Sequence, residues 1–436
     1  MPFLARPLFL LYLSSYDEIH KPLSYKIWGK PLIDNLAIRQ MNTAMQLPVT
    51  VAGALMPDAH LGYGLPIGGV LATENAVIPY AVGVDIACRM CMSVYPISPI
   101  VLGQQSGKFE NALTENTLFG AGQRWYGQYR AEHDVMDDDA WNETRFLAML
   151  KDNAHAQLGS SGSGNHFVEW GAFKLDEDDE LLGLDKGSYL ALLSHSGSRG
   201  FGFRVAERFS NLAQEQHPNL DNSLKHLAWL SLDSQLGYEY WLSMQLAGQY
   251  AAANHDVIHK RIAKASGLKP IAIIENHHNF AWKVNIPISD TPDAETKEVI
   301  VHRKGATPAE KGVMGIIPGS MGDHGYVVRG KGEASALFSA SHGAGRRMSR
   351  KEAIHSITKN ERNKYLRKHN IKLIGGEIDE APQAYKPIDD VIAAQTDLVD
   401  VIGKFTPRIV RMDGKISGSK SKKHGKRKIK NKRKRR

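Results

Sequence analysis

Seven short segments of the chain combine His, Asp, Cys, Asn or Arg with Gly and Ser, residue types that bind metals and phosphates. In chain order they read MPDAHLGYG (56–64), VGVDIAC (82–88), GSGNHFVE (162–169), SHSGSRG (194–200), ENHHN (275–279), PGSMG (318–322) and SHGAGR (341–346). A single histidine at a strand end is more often a hydrogen-bonded structural residue than a ligand. Together, however, the segments supply oxygen, sulfur and nitrogen donors, a mixed set that suits Mn, Zn, Co or Fe better than Mg or Ca.

The same residues indicate what a bound metal would act on. Asp85 precedes Cys88 by three residues, so a carboxylate and a thiolate lie within reach of one ion. Gly-Ser turns expose backbone N–H groups that bind phosphate, and Arg199 and Arg346 can each contact a phosphate through two N–H groups. His342 lies between small residues, which leave its ring open to close approach. The combination predicts metal-assisted phosphoryl or nucleotidyl transfer.

Cys88 and Cys91 are the two cysteines of the 436-residue chain. A structural zinc site uses four ligands, usually two such pairs, and a thioredoxin-like redox motif needs a βαβ setting; the sequence indicates neither. Cys91 is therefore predicted to be a small buried apolar residue. Because two cysteines do not make a disulfide framework, we expect a reducing, cytoplasmic location.

The elements that position these segments are short strands and helices in irregular order. Three apolar runs of strand length end near polar segments, Tyr189–Leu193, Ile271–Ile274 and Val299–His302, and residues 67–84 have the pattern of strands broken by turns. Apolar residues at helical spacing predict a helix that faces the core: Leu242, Leu246, Tyr250, Ala253 and Val257. Without a βαβα order, we expect a single large α+β domain with mixed β-sheets and peripheral helices.

Composition and charge separate a globular body from two terminal segments. Apolar residues make up 42% of the chain, enough for a sizeable core. Residues 415–436 contain 13 of the 55 Lys and Arg residues and no acid, so the remainder has 42 basic and 46 acidic residues, a net charge of −4. We predict an N-terminal extension at 1–22, one domain at 23–414 and a basic disordered tail at 415–436.

Both terminal segments leave alternatives open. The tail could be a solubilising segment, a non-specific anchor, or an arm that recruits RNA. The N-terminal run MPFLARPLFLLYLSS has one Arg, lacks an A-x-A cleavage site and is too short to span a bilayer. An extension is therefore favoured over a signal peptide, and no membrane association is expected.

The ordered series of motifs resembles the RtcB family of RNA ligases from about Tyr25 to Gly414. The matching motifs are MPDAHLG, VGVDIAC, GSGNHF, HSGSRG, HHN, IPGSMG, SHGAGR and, later, Ala384-Tyr385-Lys386. The resemblance implies an α+β ligase domain that depends on GTP and Mn²⁺. Its implied reaction joins RNA 3′-phosphate or 2′,3′-cyclic phosphate ends to 5′-hydroxyl ends, as in tRNA splicing and RNA repair. The expected partner is RNA with broken or spliced tRNA-like ends; participation of an activating protein is left open.

Position by position, the resemblance implies two Mn²⁺ ions per subunit, one held by Asp85, Cys88 and His166 and the other by Cys88, His195 and His278. His342 is implied as the nucleophile that becomes linked to GMP. The residues implied to contact GTP are Asn165, His166, Phe167, Val168, Glu169, His278, Asn279, Pro318, Gly319, Ser320, Met321, His342, Gly343, Ala344, Gly345 and Tyr385. His60, Arg199 and Arg346 are predicted to contact RNA ends. Asp58 also fits a turn, since Met-Pro-Asp is common turn chemistry.

The chain departs from the family pattern at several positions. Ala87 and Arg89 replace glycines, so Arg89 could repel a metal or add a phosphate contact. Gly325 replaces a serine that helps to hold the nucleotide, and Asp413 replaces a lysine that reads guanine. These changes keep open a divergent nucleotidyltransferase that caps 3′-phosphate ends or uses another nucleotide. A non-catalytic RNA-binding relative that uses the basic tail is the third alternative.

Overall fold

The computed structural model describes residues 21–287 and 295–415. Its strands, in chain order, are β1 (Lys26–Ile27), β2 (Thr50–His60), β3 (Ile67–Thr73), β4 (Ala76–Val77), β5 (Arg89–Tyr95), β6 (Phe167–Leu175), β7 (Gly187–Ser196), β8 (Leu230–Ser231), β9 (Ala272–His277), β10 (Asn279–Pro287), β11 (Thr296–Lys304), β12 (Ala306–Pro308), β13 (Met314–Ile317), β14 (Gly325–Gly330), β15 (Ser339–Ser341), β16 (Lys372–Ile374) and β17 (Val399–Met412). Its helices are α1 (Asn35–Ala44), α2 (Pro79–Val82), α3 (Val101–Gln104), α4 (Ser106–Asn116), α5 (Ala140–Glu143), α6 (Arg145–Gln157), α7 (Arg199–Gln216), α8 (Gln235–Ser266), α9 (Arg350–Ser356), α10 (Lys359–Lys368) and α11 (Ile388–Ala393).

Two large sheets organise the domain. One has five strands in the order β1-β2-β3-β11-β10, and the other has eight, in the order β13-β14-β17-β6-β7-β5-β9 with β16 beside β17. Two pairs, β1 with β2 and β16 with β17, are parallel, whereas the other neighbours in these sheets are antiparallel. The predicted single α+β domain with mixed sheets is confirmed.

The two sheets are joined directly through one residue. Strand β9 belongs to the eight-stranded sheet, strand β10 belongs to the five-stranded sheet, and His278 alone separates them. The carbonyl oxygen of His278 accepts a hydrogen bond from Ala306 N at 3.2 Å, and its own N–H donates to Cys88 O at 3.0 Å. Backbone hydrogen bonds therefore fix this junction on both sides.

Helix α8 covers one face of the eight-stranded sheet. It begins at Ser234, whose hydroxyl accepts from Gly237 N, and ends at Gly267, which adopts φ +68° as helix-terminating glycines do. Its Ile258 packs with Leu192 of β7 and Trp170 of β6, all completely buried. Burial of each such side chain contributes about 1.5–3 kcal/mol relative to exposure.

Most of the predicted elements are present. The three apolar runs lie in β7, β9 and β11, and the predicted helix lies within α8. Leu246, Tyr250, Ala253 and Val257 are buried as predicted, and Leu242 is half-buried. Residues 67–84 contain β3 and β4, but residues 79–82 form helix α2, which corrects the all-strand prediction. Pro79 occupies the first turn of this helix, where a backbone N–H would have no partner within the helix, so its absence costs no hydrogen bond.

The predicted terminal segments fall almost entirely outside the described residues. The extension at 1–22 contributes Lys21 and Pro22 to the described part, and the tail at 415–436 contributes Lys415. Both assignments stay predictions. Across residues 21–287 and 295–415, no helix has the length and apolar character needed to cross a membrane.

Candidate active site

The five predicted metal ligands come from four separate parts of the chain and meet at the ends of neighbouring strands of the eight-stranded sheet. Asp85 and Cys88 lie in the turn between α2 and β5, His166 immediately precedes β6, His195 lies near the end of β7, and His278 follows β9. The antiparallel register sets Phe167 of β6 and Met90 of β5 opposite His195. Pairing of these strand ends therefore brings the distant motifs together.

Polar atoms of these ligands converge within hydrogen-bonding distance. His166 Nε2 lies 2.9 Å from Asp85 Oδ2 and 3.4 Å from Cys88 Sγ. His195 Nε2 lies 3.0 Å from Cys88 Sγ and 3.3 Å from His278 Nε2. Cys88, His166 and His195 each offer a donor atom, all three within 4.8 Å of one another and all buried.

The backbone orients two of the imidazole rings toward this cluster. His166 Nδ1 lies 2.8 Å from the carbonyl of Ser161, and His195 Nδ1 lies 3.2 Å from that of Asn165. Since a carbonyl only accepts, each Nδ1 donates; in the neutral rings the Nε2 lone pairs then face the Cys88 sulfur. Such carbonyl partners are the usual way in which proteins orient metal-binding histidines.

The charges in this cluster also fit a cation. Burial would raise the pKa of Asp85, but the neighbouring His166 and Arg199 outweigh burial and lower this pKa to about 2. Burial and the Asp85 carboxylate raise the pKa of Cys88 well above its ordinary value, so its thiolate needs a cation beside it. Lone pairs of nitrogen, sulfur and oxygen aimed at one another repel unless a cation lies among them, so this donor set fits Mn, Zn or Co.

His342 lies beside the ligand cluster and is held by a carboxylate. It directly follows β15, and its ring centroid is 4.9 Å from that of His278. His342 Nδ1 is 2.7 Å from Asp58 Oδ2, which also accepts from the His342 backbone N–H at 3.2 Å. Gly345 passes so close to the Asp58 carbonyl, with φ +70°, that a side chain there would overlap it.

Asp58 is a residue whose role the sequence interpretation missed. It lies inside β2 and is completely buried, so the turn considered for it is wrong. Lys386 Nζ donates to the backbone carbonyls on either side of it, Pro57 O at 3.1 Å and Ala59 O at 2.8 Å. The His342 hydrogen bond and nearby positive charge outweigh burial and lower the pKa of Asp58. Its position in the MPDAHLG motif was the available signal.

A cavity of about 640 Å³ opens beside His342, a volume suited to a nucleotide. Most of the predicted nucleotide-contacting and RNA-contacting residues line it: His60, Asn165, Phe167, His278, Pro318, Gly319, Ser320, Met321, His342, Gly343, Ala344, Gly345, Arg346 and Tyr385. The predicted metal ligand His195 also lines it. The Ala344 N–H donates to the Pro318 carbonyl at 3.0 Å, which joins the last two Gly-rich motifs. The Arg346 guanidinium lies over the Tyr385 ring, 5.0 Å from its centroid.

Several predicted nucleotide contacts lie elsewhere. The Val168 side chain points to the opposite face of β6 and packs in the core with Trp170, which corrects its assignment as a nucleotide contact. Glu169 is buried away from the cavity, and burial raises its pKa, which favours the neutral acid. Asn279 holds the metal-ligand loop, because it donates to Asp85 O at 3.2 Å and accepts from Gly305 N at 2.8 Å.

His166 and Arg199 lie behind the cavity. His166 does not line it and instead belongs to the ligand cluster. Arg199 Nε donates to Ser160 Oγ at 3.3 Å, one residue before the Ser161 carbonyl that orients His166, so the guanidinium supports the ligand cluster. A side chain at Gly162 would overlap this guanidinium.

The departures from the family pattern have distinct structural settings. Arg89 pairs with Glu275 at 3.2 Å and lies 3.3 Å from His277 Nδ1, so its contacts support neither role considered for it. A side chain at Gly325 would press on Pro318, with its Cβ 2.9 Å from Pro318 Cα. Asp413 accepts from Gly414 N at 2.8 Å and does not line the cavity, whereas its neighbour Met412 does.

The site combines a histidine held by a carboxylate, a neighbouring cluster of His, Cys and Asp donor atoms, and a nucleotide-sized cavity that this histidine lines. Together these features define a nucleotidyl-transfer type of site in an α+β domain. The family model described as "tRNA-splicing ligase RtcB" matches residues 40–413. The chain therefore belongs to the RtcB family of RNA ligases, as its motifs predicted.

Relatives from distant organisms match over nearly the whole domain. The chain is 32% identical over 406 residues to "RNA-splicing ligase RtcB" of Escherichia coli K12, covering 86% of this chain and 94% of that protein. It is 29% identical over 450 residues to "tRNA-splicing ligase RtcB" of Nanoarchaeum equitans, covering 88% and 93%. It is also 29% identical over 430 residues to "RNA-splicing ligase RtcB" of Mycobacterium tuberculosis, covering 84% and 98%.

Proposed function

We propose that this chain is a GTP- and Mn²⁺-dependent ligase that joins RNA 3′-phosphate or 2′,3′-cyclic phosphate ends to 5′-hydroxyl ends, in tRNA splicing or RNA repair. The observation that supports this most directly is the contact between His342 and Asp58, 2.7 Å long, beside the ligand cluster and the cavity. A histidine in this setting has both a partner that fixes its tautomer and room for a triphosphate.

The proposed metal ligands are the converging donor atoms. Asp85, Cys88 and His166 would hold one ion, and Cys88, His195 and His278 the other, with Cys88 shared. When bound, the ions would neutralise negative charge on the phosphates during transfer. The chain's own contribution is to fix the ligand rings through the carbonyls of Ser161 and Asn165.

His342 acts as the nucleophile in the proposed first step. Because its Nδ1 donates to the Asp58 carboxylate, the remaining nitrogen, Nε2, carries the lone pair. That lone pair forms a bond to the α-phosphorus of GTP, and the bond from this phosphorus to pyrophosphate breaks. Asp58 stabilises the positive charge that develops on the ring, as a buried carboxylate does for a catalytic histidine.

Two further transfers complete the proposed reaction. The GMP moves from His342 to an oxygen of the RNA 3′-phosphate, which makes GMP a leaving group; a 2′,3′-cyclic phosphate is first opened by water. A 5′-hydroxyl then attacks the 3′-phosphorus, the phosphodiester forms and GMP leaves. His60 and Arg346, which line the cavity, are proposed to contact the RNA ends. Arg199, which does not line the cavity, is proposed to support the metal ligands through its hydrogen bond to Ser160 and its charge near Asp85.

The second candidate function differs from the first in the nucleotide that the enzyme uses or in the product that it forms. Asp413 lies outside the cavity lining and Gly325 leaves no side chain beside Pro318, so two family contacts to the nucleotide are missing. A nucleotidyltransferase that uses another nucleotide, or that caps 3′-phosphate ends, is the second candidate. The complete set of His342, Asp58 and converging ligands argues against a non-catalytic RNA-binding relative.

The test is to incubate metal-stripped protein with Mn²⁺ and either GTP or ATP labelled at the α-phosphate, and to measure label that survives denaturation. We expect label from GTP in the wild type and none in His342→Ala, which should still bind metal. His355→Ala is the matched control, because His355 is exposed and bonds only within its own helix, to Lys351 O at 2.6 Å. Label from ATP would show that the nucleotide is ATP and not GTP. The absence of label from either nucleotide, with metal bound, would refute the proposed first step.

A further inference from the structure

A second group of histidines lies on the other side of strand β7. His255 and His259 are one helical turn apart on α8, and with Cys91 of β5 they place three potential donor atoms within 4.8 Å of one another, all buried. Two histidines spaced by four on a helix, plus a cysteine, is a pattern found in metal sites. Cys91 is buried as predicted, but the sequence interpretation did not connect it with these histidines.

The hydrogen bonds of this group form one continuous chain. Ser93 Oγ lies 2.7 Å from His259 Nδ1, His259 Nε2 lies 2.8 Å from Ser194 Oγ, and Ser194 Oγ lies 2.7 Å from His255 Nδ1. The chain ends where His255 Nε2 lies 3.1 Å from the carbonyl of Ser196. Five residues from three elements are thereby linked.

The final carbonyl fixes the direction of every bond. A carbonyl only accepts, so His255 Nε2 donates to Ser196 O and His255 Nδ1 must accept from the Ser194 hydroxyl. The Ser194 oxygen then accepts from His259 Nε2, which leaves His259 Nδ1 to accept from the Ser93 hydroxyl. Each ring nitrogen is satisfied with both rings neutral, and burial lowers the pKa of His259 to about 3. No ring nitrogen of His255 or His259 is left free for an ion.

The chain of bonds meets the proposed metal ligands at two places. Ser194 and Ser196 flank His195 on β7, with their side chains toward α8 and that of His195 on the opposite face. Ser196 Oγ donates to the Ser161 carbonyl at 3.1 Å, the carbonyl that also orients His166.

Asn254 extends this support to the loop before His166. Its Nδ2 donates to Ser160 O at 3.0 Å and to Ser196 Oγ at 3.1 Å, and its Oδ1 accepts from Gly159 N at 2.8 Å. One turn of α8 thus holds both the loop that orients His166 and the strand that carries His195.

We propose that Asn254, His255 and His259 of α8, acting through Ser194 and Ser196, are positioning residues that fix His166 and His195 for metal binding. This inference rests on the metal site of the proposed function. Residues that orient metal ligands typically change metal affinity or activity by about 10- to 100-fold when altered. Because these residues contact neither the metal nor the nucleotide in the proposed site, replacing them should weaken metal binding. Excess metal should then restore labelling of His342.

The test is Ser194→Ala, which removes the central hydroxyl and interrupts the chain of bonds. We expect its Kd for Mn²⁺ to rise about 10-fold, with His342 labelling restored at saturating Mn²⁺. With Co²⁺ in place of Mn²⁺, the absorption of the Cys88 thiolate–Co²⁺ pair should shift. Ser243→Ala is the matched control, a buried serine on α8 whose hydroxyl bonds only to Glu239 O, at 2.7 Å; its Kd and spectrum should equal those of the wild type.

Ser93→Ala provides a second variant at the far end of the chain of bonds, and we expect a smaller rise in Kd than for Ser194→Ala. The inference would be supported if the wild type binds two ions per chain and Kd rises most in Ser194→Ala, less in Ser93→Ala and not at all in Ser243→Ala. Equal affinities for Ser194→Ala and Ser243→Ala would overturn it and leave the proposed function standing. A wild type that binds no metal would overturn both. A third ion, lost in His259→Ala, would show that the α8 group is itself a metal site and would also overturn the inference.

Discussion

Replacing Asp58 with Asn tests the central claim that a carboxylate fixes the tautomer of the nucleophile. Asp58 Oδ2 accepts two hydrogen bonds from His342, at 2.7 Å from Nδ1 and 3.2 Å from the backbone N–H. An asparagine keeps the shape but loses the charge, and its NH₂ can donate to Nδ1, which would move the ring proton to Nε2 and remove the attacking lone pair.

The expected loss can be worked from these contacts. A hydrogen bond to a charged group contributes about 1.5–3 kcal/mol, so loss of the carboxylate charge alone corresponds to about a 10- to 100-fold slower reaction. Reversal of the tautomer adds to this, and the corresponding Asp→Asn change in serine proteases costs about 10⁴-fold. We therefore expect His342 labelling by GTP to slow by about 10³- to 10⁴-fold.

The assay is single-turnover labelling from α-phosphate-labelled GTP at saturating Mn²⁺, with bound metal measured on the same samples. Asp389→Asn is the matched control, because Asp389 is an exposed aspartate that contacts His324 Nε2 and Tyr326 Oη, each at 2.6 Å, and does not line the cavity. It should label at the wild-type rate. If Asp58→Asn labels within about threefold of wild type while binding metal normally, the tautomer argument is refuted.

Two other predictions concern buried groups. Lys386→Met removes the hydrogen bonds to Pro57 O and Ala59 O and the positive charge beside Asp58. Labelling of His342 should therefore slow about 10-fold while the affinity for Mn²⁺ stays unchanged. Loss of bound metal in this variant would contradict the prediction. His302 accepts from Ile78 N and lies 3.1 Å from Leu71 O, and burial lowers its pKa to about 4, from 6.5. Since the unfolded chain binds this proton more tightly, the stability from the neutral ring is complete above about pH 6.5 and is lost as pH falls toward 4. Between pH 7 and 5, wild type should lose about 2 kcal/mol more unfolding free energy than His302→Gln in urea titrations; equal losses would count against a neutral His302.

Sequence patterns were sufficient for the elements whose periodicity is local. Helix α8 was predicted from apolar residues at helical spacing, because the helix buries one stripe along its whole length. The strands β7, β9 and β11 were predicted from short apolar runs. The proximity of His195 and His278 near the ends of β7 and β9 was implied by the family resemblance and not by these runs. Residues 79–82 were misassigned because Pro79 starts a helix of one turn, too short to show a period.

What the sequence did not reveal depends on pairing across the fold. Asp58 and His342 are 284 positions apart, and the packing of β15 against β2 brings them together. Val168 occurs within a functional motif, yet strand alternation turns it to the core while Phe167 faces the cavity. The histidines of α8 fit a core helix pattern equally well, and only the positions of Ser93 and Ser194 reveal their hydrogen bonds.

His278 connects the two large sheets in addition to being a proposed metal ligand. It is the single residue between a strand of one large sheet and a strand of the other. His195 lies in the first sheet, His166 directly precedes one of its strands, and Asp58 lies in the second sheet. An ion bound by His278 would therefore link the two large sheets. One sheet carries most of the proposed metal ligands, and the other carries Asp58, the partner of the proposed nucleophile His342. By reciprocity, whatever factor Mn²⁺ adds to the affinity for GTP, GTP must add to the affinity for Mn²⁺. Measuring Mn²⁺ affinity with and without GTP, and GTP affinity with and without Mn²⁺, would then give the same coupling free energy.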